Sequence, residues 1–144
     1  MLFPFFSTLI SNYPGKMYIS ENYVENEYAT FWIHNGILFY VYKPNTTIDL
    51  YAAQKTVADR VKFQHKVAYP ILYDVRGIVE ADKAGRDYMG KRGYLLTKAV
   101  GFLVPPPVSI GLVPFFLEIH QPHAPTRLFT EEDQAIKFLK SYVS

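Results

Sequence analysis

The chain has 144 residues, fifteen basic and thirteen acidic side chains for a net charge of +2, and no cysteine. That length is enough for one domain burying roughly two-thirds of its unfolded surface without a disulfide or metal, and the lack of cysteine fits a reducing cytoplasm. A net charge this small, with no run of Lys or Arg in the sequence, argues against nucleic acid as the partner.

Residues 1–10 are apolar but carry Pro4, lack a basic leading region and meet no small-x-small cleavage site, so a secretory signal is not expected. Residues 1–16 are read as a poorly ordered N-terminal extension packing by its phenylalanines, and residues 17–144 as the domain. Twelve tyrosines help to bring the aromatic share to 17%. That exceeds the needs of such a core, so some rings are expected to face a partner, a ligand or a second subunit.

Residues 23–42 alternate on both sides of Asn35-Gly36, the strongest short signal for a β-hairpin, because a type I′ turn needs positive φ at both central residues. Ala29, Phe31 and Ile33 are assigned to one face with Ile37, Phe39 and Val41. Tyr28, Thr30 and Trp32 are assigned to the other with Leu38, Tyr40 and Tyr42, an aromatic face that a helix or a partner must cover. Thr46 or Thr47 is expected to cap a helix running to about Lys66, with Leu50, Ala53, Val57 and Val61 inward and Gln54, Lys55, Asp59 and Lys62 outward. A buried strand follows over residues 71–75.

Asp82 stands where a helix N-cap belongs, and the helix it opens is expected to reach about Leu96. Gly85, Gly90 and Gly93 weaken that helix by up to about 1 kcal/mol each. Close packing or functional mobility would account for them. Residues 100–117 carry no charge, long enough for a membrane span, but Pro105, Pro106, Pro107 and Pro114 break such a helix repeatedly. A strand over residues 99–104, a proline loop and a short helix with Phe115, Phe116, Leu117 and Ile119 fit the same residues. Residues 126–129 read as a strand. The last helix opens at Thr130 with three acids and buries Ala135, Ile136, Leu139 and Val143.

The order implies an α/β domain: one mixed β-sheet of about five strands, begun by an antiparallel hairpin and packed by about four helices. In such sheets, ligands meet the loops at the carboxyl ends of parallel strands, which points to residues 76–83 and 105–109.

Asp74, Asp82 and Gly85, within the run from Asp74 through Arg76, Gly77 and Glu80, resemble the signature loop of STAS domains, the anti-sigma-factor-antagonist fold. The whole is similar to the bacterial SpoIIAA-like group, described as STAS/CRAL-TRIO-like. In the family's regulatory branch, the hydroxyl after the loop Asp is phosphorylated and the phosphate switches partner binding. Here that phosphoacceptor position is Lys83, followed by Ala84, and residues 74–87 contain no Ser, Thr or Tyr. The resemblance therefore implies protein binding, including self-association, without that switch. Its CRAL-TRIO side implies, as the alternative, a carrier or sensor of a small hydrophobic ligand or lipid.

Lys83, Arg86 and the helix N-terminus around Asp82 are a candidate anion site, and an N-cap followed by a solvated face explains the same residues. His120 and His123 are three apart but separated by Pro122, without a Cys or nearby Asp, so no metal is expected; His34 and His65 read as solvent-facing. No phosphate-cradling loop, nucleophile elbow or zinc-protease pattern occurs, so neither an enzyme nor a cofactor is expected, with a hydrolase assembled from scattered residues as the weaker alternative. The candidate interaction surface is Arg76, Asp82, Lys83 and Arg86 around the loop, Tyr94 at the helix end, and Pro106, Phe115 and Phe116 in the segment that follows, joined by exposed hairpin aromatics.

Overall fold

The computed structural model describes residues 8–9, 18–20, 23–106 and 123–144. Strands β1 (Thr8–Leu9), β2 (Tyr18–Ser20) and β3 (Tyr23–Glu25) lead antiparallel into β4 (Ala29–His34) and β5 (Ile37–Tyr42). Asn35 and Gly36 turn the β4–β5 hairpin with φ of 50° and 79°, the type I′ signs expected of them.

That two-residue turn also fixes which side chains meet. Ala29 stands opposite Tyr42, Phe31 opposite Tyr40, and Trp32 opposite Phe39. Directly opposed residues share a face, so the faces assigned from the sequence are corrected. Phe31 stacks on Tyr40 at 4.9 Å between ring centroids and Trp32 on Phe39 at 5.5 Å. Of the aromatic face expected to need a helix or a partner over it, Trp32, Tyr40 and Tyr42 lie in the core, as do Phe31 and Phe39, so these five hairpin rings are not exposed.

After β5 come β6 (Thr46–Ile48) and α1 (Leu50–Phe63), then β7 (Tyr69–Asp74), β8 (Ile78–Ala81) and α2 (Lys83–Arg92). The chain continues through β9 (Thr97–Leu103), β10 (Thr126–Phe129) and α3 (Glu132–Lys140). Among the described residues the main sheet has eight strands in the order β1-β2-β3-β4-β5-β7-β9-β10, with β5, β7, β9 and β10 parallel. A separate parallel pair joins β6 to β8. The expectation of a single sheet of about five strands is thus corrected, because β6 and β8 support each other across some thirty residues and neither shows as a strand alone. Three helices are described, and the helix expected around Phe115 and Phe116 lies outside the described residues.

The helix ends also differ from expectation. Thr46 is held in the β5–β6 turn, its hydroxyl donating to the Lys43 carbonyl at 2.6 Å, and Asp49 caps α1 by accepting from the Ala52 amide at 2.8 Å. The helix stops at Phe63 because His65 and Lys66 take left-handed φ of 49° and 66°. Leu50, expected inward, is exposed, and Ala52, Ala53, Thr56, Val57 and Arg60 form the buried stripe. Asp82 caps α2 as expected, but that helix ends at Arg92 rather than Leu96, whose φ is 54°. In α3, Glu131 holds the cap position without a side-chain cap bond, displacing the start expected at Thr130.

α1 packs Ala52 and Ala53 against Phe31, Tyr40 and Ile71 on one face of the sheet, with Tyr88 and Met89 of α2 beside them. α3 packs Ala135 and Leu139 against Trp32, Phe39, Leu72 and Leu103 on the other. Fully burying Leu139 alone contributes roughly 1.5–3 kcal/mol. Gly85 explains part of the glycine content of α2: a Cβ there would stand 2.5 Å from the Ile48 carbonyl oxygen, so the helix approaches β6 more closely than any side chain allows. Among the described residues, no helix is long and apolar enough to cross a membrane.

Candidate functional site

Val41, Asp74, Leu103 and Phe129 stand level across the four parallel strands. Each helix begins beyond the carboxyl end of a strand, so the N-termini of α1, α2 and α3 gather at this edge with the loop that follows β7.

The loop is locked by its own polar groups. Asp74 is buried, and its carboxylate accepts from the Arg76 amide at 3.1 Å, from Arg76 Nε at 2.9 Å and from Nη2 at 2.7 Å. This fork-on-carboxylate geometry, strengthened by the nearby Glu132 charge, holds the Arg76 guanidinium above its ordinary pKa. Gly77 then lies so close to the β5–β6 turn that a Cβ would reach 2.3 Å from the Lys43 carbonyl oxygen, and its own carbonyl accepts from the Thr46 amide at 3.0 Å. Loop and turn form one fixed unit.

At the start of α2, the Asp82 amide donates to the Ile48 carbonyl at 3.0 Å and its carboxylate accepts from the Gly85 amide at 2.8 Å. Lys83 pairs with Asp87 at 2.7 Å on the solvent side, whereas Arg86 Nη1 donates back to the Ala81 carbonyl at 2.6 Å. The two cations point apart, and the Gly85 amide is engaged by the cap. The anion cradle considered from the sequence is therefore not assembled in this arrangement, and the capped helix with a solvated face describes it.

Arg76, Asp82, Lys83 and Arg86 come together at the carboxyl edge, and Pro106 lies exposed three residues past the end of β9. Tyr94 does not join them. It sits past the far end of α2, its hydroxyl 3.2 Å from Thr126 Oγ1 and its ring edge-on to His123. Phe115, Phe116 and His120 lie outside the described residues. His34 and His65 are exposed, and among the described residues no three His, Asp or Glu side chains gather to hold a metal ion.

Sequence reasoning missed the apolar neighbours of the loop. Val79 on β8 is 65% exposed, and Leu50 and Tyr51 at the start of α1 are 42% and 60% exposed. β6 links the two, since Thr47 pairs with Glu80 beside Val79 and Ile48 leads through Asp49 into Leu50. The signal was the pair Ile78-Val79 ahead of the cap, too short to read as a strand in isolation.

No curated protein matches the chain. Among solved structures, an uncharacterized protein of the DUF3478 family from Shewanella loihica PV-4, described as having a SpoIIAA-like fold, superposes with a TM-score of 0.55 over 77% of this chain and 91% of its own. At 10% identity that likeness concerns the fold alone, and the fold is SpoIIAA-like, the STAS type. The family model described as Domain of unknown function (DUF7793) matches residues 31–143, from the second residue past the start of β4 to beyond α3, and the chain belongs to that family.

Proposed function

We propose that the protein is a non-enzymatic binding module of the STAS type, cytoplasmic, whose carboxyl edge docks another protein or a second copy of itself without a phosphorylation switch. The working domain is residues 17–144, with residues 1–16 as an extension. The observation that carries this reading is Val79: a branched aliphatic side chain 65% exposed on β8, a strand paired only with β6 among the described residues, directly beside the locked Asp74–Arg76 loop. An exposed aliphatic residue on a strand paired with β6, which leads into the exposed Leu50 and Tyr51 at the start of α1, fits the apolar centre of a small protein interface, and Arg76, Lys83 and Arg86 fit its polar rim. Pro106, with Phe115 and Phe116 further along the chain, belongs to the same proposed surface. The position where the resemblance to regulatory STAS domains would put the phosphorylated hydroxyl holds Lys83 in an ion pair with Asp87, which supports binding that needs no phosphorylation.

The test compares wild type with Val79→Asp by crosslinking in cells and by light scattering on the purified chain, with an unchanged melting temperature showing that the fold survives. The expected result is a discrete oligomer or crosslinked partner that the substitution abolishes. Identical monomers with identical crosslinks in both proteins would overturn the reading. So would a bound lipid, seen in native mass spectra and removed by organic extraction, in a protein with no partner.

A further inference from the structure

The opposite end of the domain has a chemistry of its own. α1, α2 and α3 return toward the amino ends of the parallel strands, so their C-termini gather there, and Lys62, Lys91 and Arg92 stand in the last turns of α1 and α2 as partners of the helix dipoles. Dipole compensation does not explain Lys66, exposed in the α1–β7 connector, or Lys98 on β9. The described acids nearest this end are engaged higher up: Asp59 with Lys55 at 3.3 Å, and Asp87 with Lys83 in the first half of α2. Among the described residues the charged side chains at this end are therefore basic, with Lys98 Nζ donating to the Ser144 hydroxyl.

Two aliphatic side chains stand within this basic field. Val67 and Leu95 are 50% and 43% exposed, one in the α1–β7 connector and the other in the α2–β9 connector. The connectors that carry them are held by buried groups. Gln64 Nε2 donates to the carbonyls of Val67 at 3.0 Å and Leu96 at 2.8 Å, while Arg60 donates to the carbonyls of Leu95 at 2.9 Å and Gly93 at 3.1 Å. Three residues of these connectors, His65, Lys66 and Leu96, take the left-handed backbone, which is uncommon for Lys and Leu. Such strain persists only where the surroundings over-determine it, and the Arg60–Gln64 clamp does so here.

We propose that this end docks on an anionic lipid bilayer, with Lys62, Lys66, Lys91, Arg92 and Lys98 at the level of the headgroup phosphates and Val67 and Leu95 reaching the acyl boundary. Positive charge around aliphatic tips is the combination that an anionic bilayer complements. Single-stranded nucleic acid calls instead for exposed rings on which bases stack; Tyr51, the exposed tyrosine among the described residues, lies at the other end of α1, and the exposed rings at this end are the small, polar imidazoles of His65 and His123.

Co-sedimentation of the full chain with phosphatidylcholine vesicles, alone or with about 30 mol % phosphatidylglycerol, tests this. The expected result is binding to the anionic vesicles only, weakening steeply as salt rises toward about 0.5 M. Lys91→Glu with Arg92→Glu lowers affinity about tenfold or more, Val67→Ser with Leu95→Ser also weakens it, and Lys83→Glu at the carboxyl edge leaves it unchanged, all with unaltered melting temperatures. Equal sedimentation with both vesicle types, an effect of Lys83→Glu as large as that of the double reversal, or tighter binding to a single-stranded oligonucleotide than to the anionic vesicles would each overturn the proposal. Val79→Asp, which tests the protein-docking edge, is predicted to sediment like wild type, so the two readings fail separately.

Discussion

Arg60 is 1% exposed, and its guanidinium donates to the backbone carbonyl of Leu95 at 2.9 Å, tying the last turn of α1 to the connector between α2 and β9. Its other acceptors are the Gln64 side-chain oxygen and the Gly93 carbonyl. All three are neutral, and among the described residues no carboxylate pairs with it. A buried cation held this way acts as a clamp on backbone groups that lie past the end of a helix.

Replacing Arg60 by Met keeps the length of the side chain but takes the Arg60 donor from the buried Gln64 side-chain oxygen and Gly93 carbonyl, whereas the Leu95 carbonyl keeps the Thr97 hydroxyl at 3.1 Å. The expected cost is about 3 kcal/mol or more, because each buried unsatisfied group costs roughly 1–3 kcal/mol. Arg60→Lys restores the charge without the planar fork and recovers only part of the loss. Urea unfolding of the three proteins checks the order, and a Met variant within about 1 kcal/mol of wild type would show that the clamp carries no stability.

Gly85 gives a second prediction. Alanine is favoured over glycine inside a helix by about 1 kcal/mol, yet the new Cβ would meet the Ile48 carbonyl oxygen at 2.5 Å and the Asp49 carbonyl oxygen at 3.1 Å, both rigid backbone atoms. Gly85→Ala is therefore expected to destabilise by about 2 kcal/mol or more, by forcing α2 away from β6. Gly101 is the control: its Cβ would meet Leu139 and Phe129 side-chain atoms at 3.5 Å, an ordinary contact, so Gly101→Ala is expected to change stability by less than about 1 kcal/mol. Thermal melts of the two variants suffice, and equal effects would contradict the close-approach argument.

What the sequence disclosed divides along the same physical line. Asn35-Gly36, Asp82 and the strand Thr126–Phe129 were legible because each obeys a local rule: a turn's φ signs, a cap's oxygen, an alternating run. The pairing of Ala29 with Tyr42 followed from the two-residue turn but was assigned one position out of step, which exchanges every side chain between faces. β6 and β8 were not legible, since Thr46 meets Ile78 only once the intervening helix and strand are in place. Arg60 and Gln64 continue the i, i+4 stripe of Ala52 and Thr56. Charge and polarity hid their place on the buried face.

The candidate site shows the same division. Arg76, Asp82, Lys83 and Arg86 were found together because they occupy one contiguous stretch. Val79 was missed with its strand, and Tyr94 was grouped with them although ten residues of helix carry it to the other end of the domain. The basic end could not be seen at all, since it collects residues from α1, α2, β9 and their connectors, and only the parallel topology brings them together.

The tyrosine-rich core predicts a steep alkaline limit to stability. Tyr40, Tyr42 and Tyr73 lie buried beneath α1 with ring centroids 5.1 Å and 5.2 Å from Tyr40 to the other two. Burial, reinforced for Tyr40 and Tyr42 by neighbouring phenols, raises all three above the ordinary tyrosine value, with only partial relief from hydrogen bonding to Thr56 at Tyr40 and Tyr42 and from Arg60 at all three. The folded chain therefore keeps protons that the unfolded chain releases near pH 10. Their contribution is fully present below about pH 10 and is lost as pH rises through the folded values, at about 1.4 kcal/mol per phenol for each pH unit. Three phenols together give a slope of about 4 kcal/mol per unit, and Tyr42→Phe reduces it by about a third. Unfolding free energy measured across the alkaline range, with phenolate absorbance followed in parallel, checks both. Phenolate formation by all three rings near pH 10 in a still folded protein would show that burial does not hold their protons.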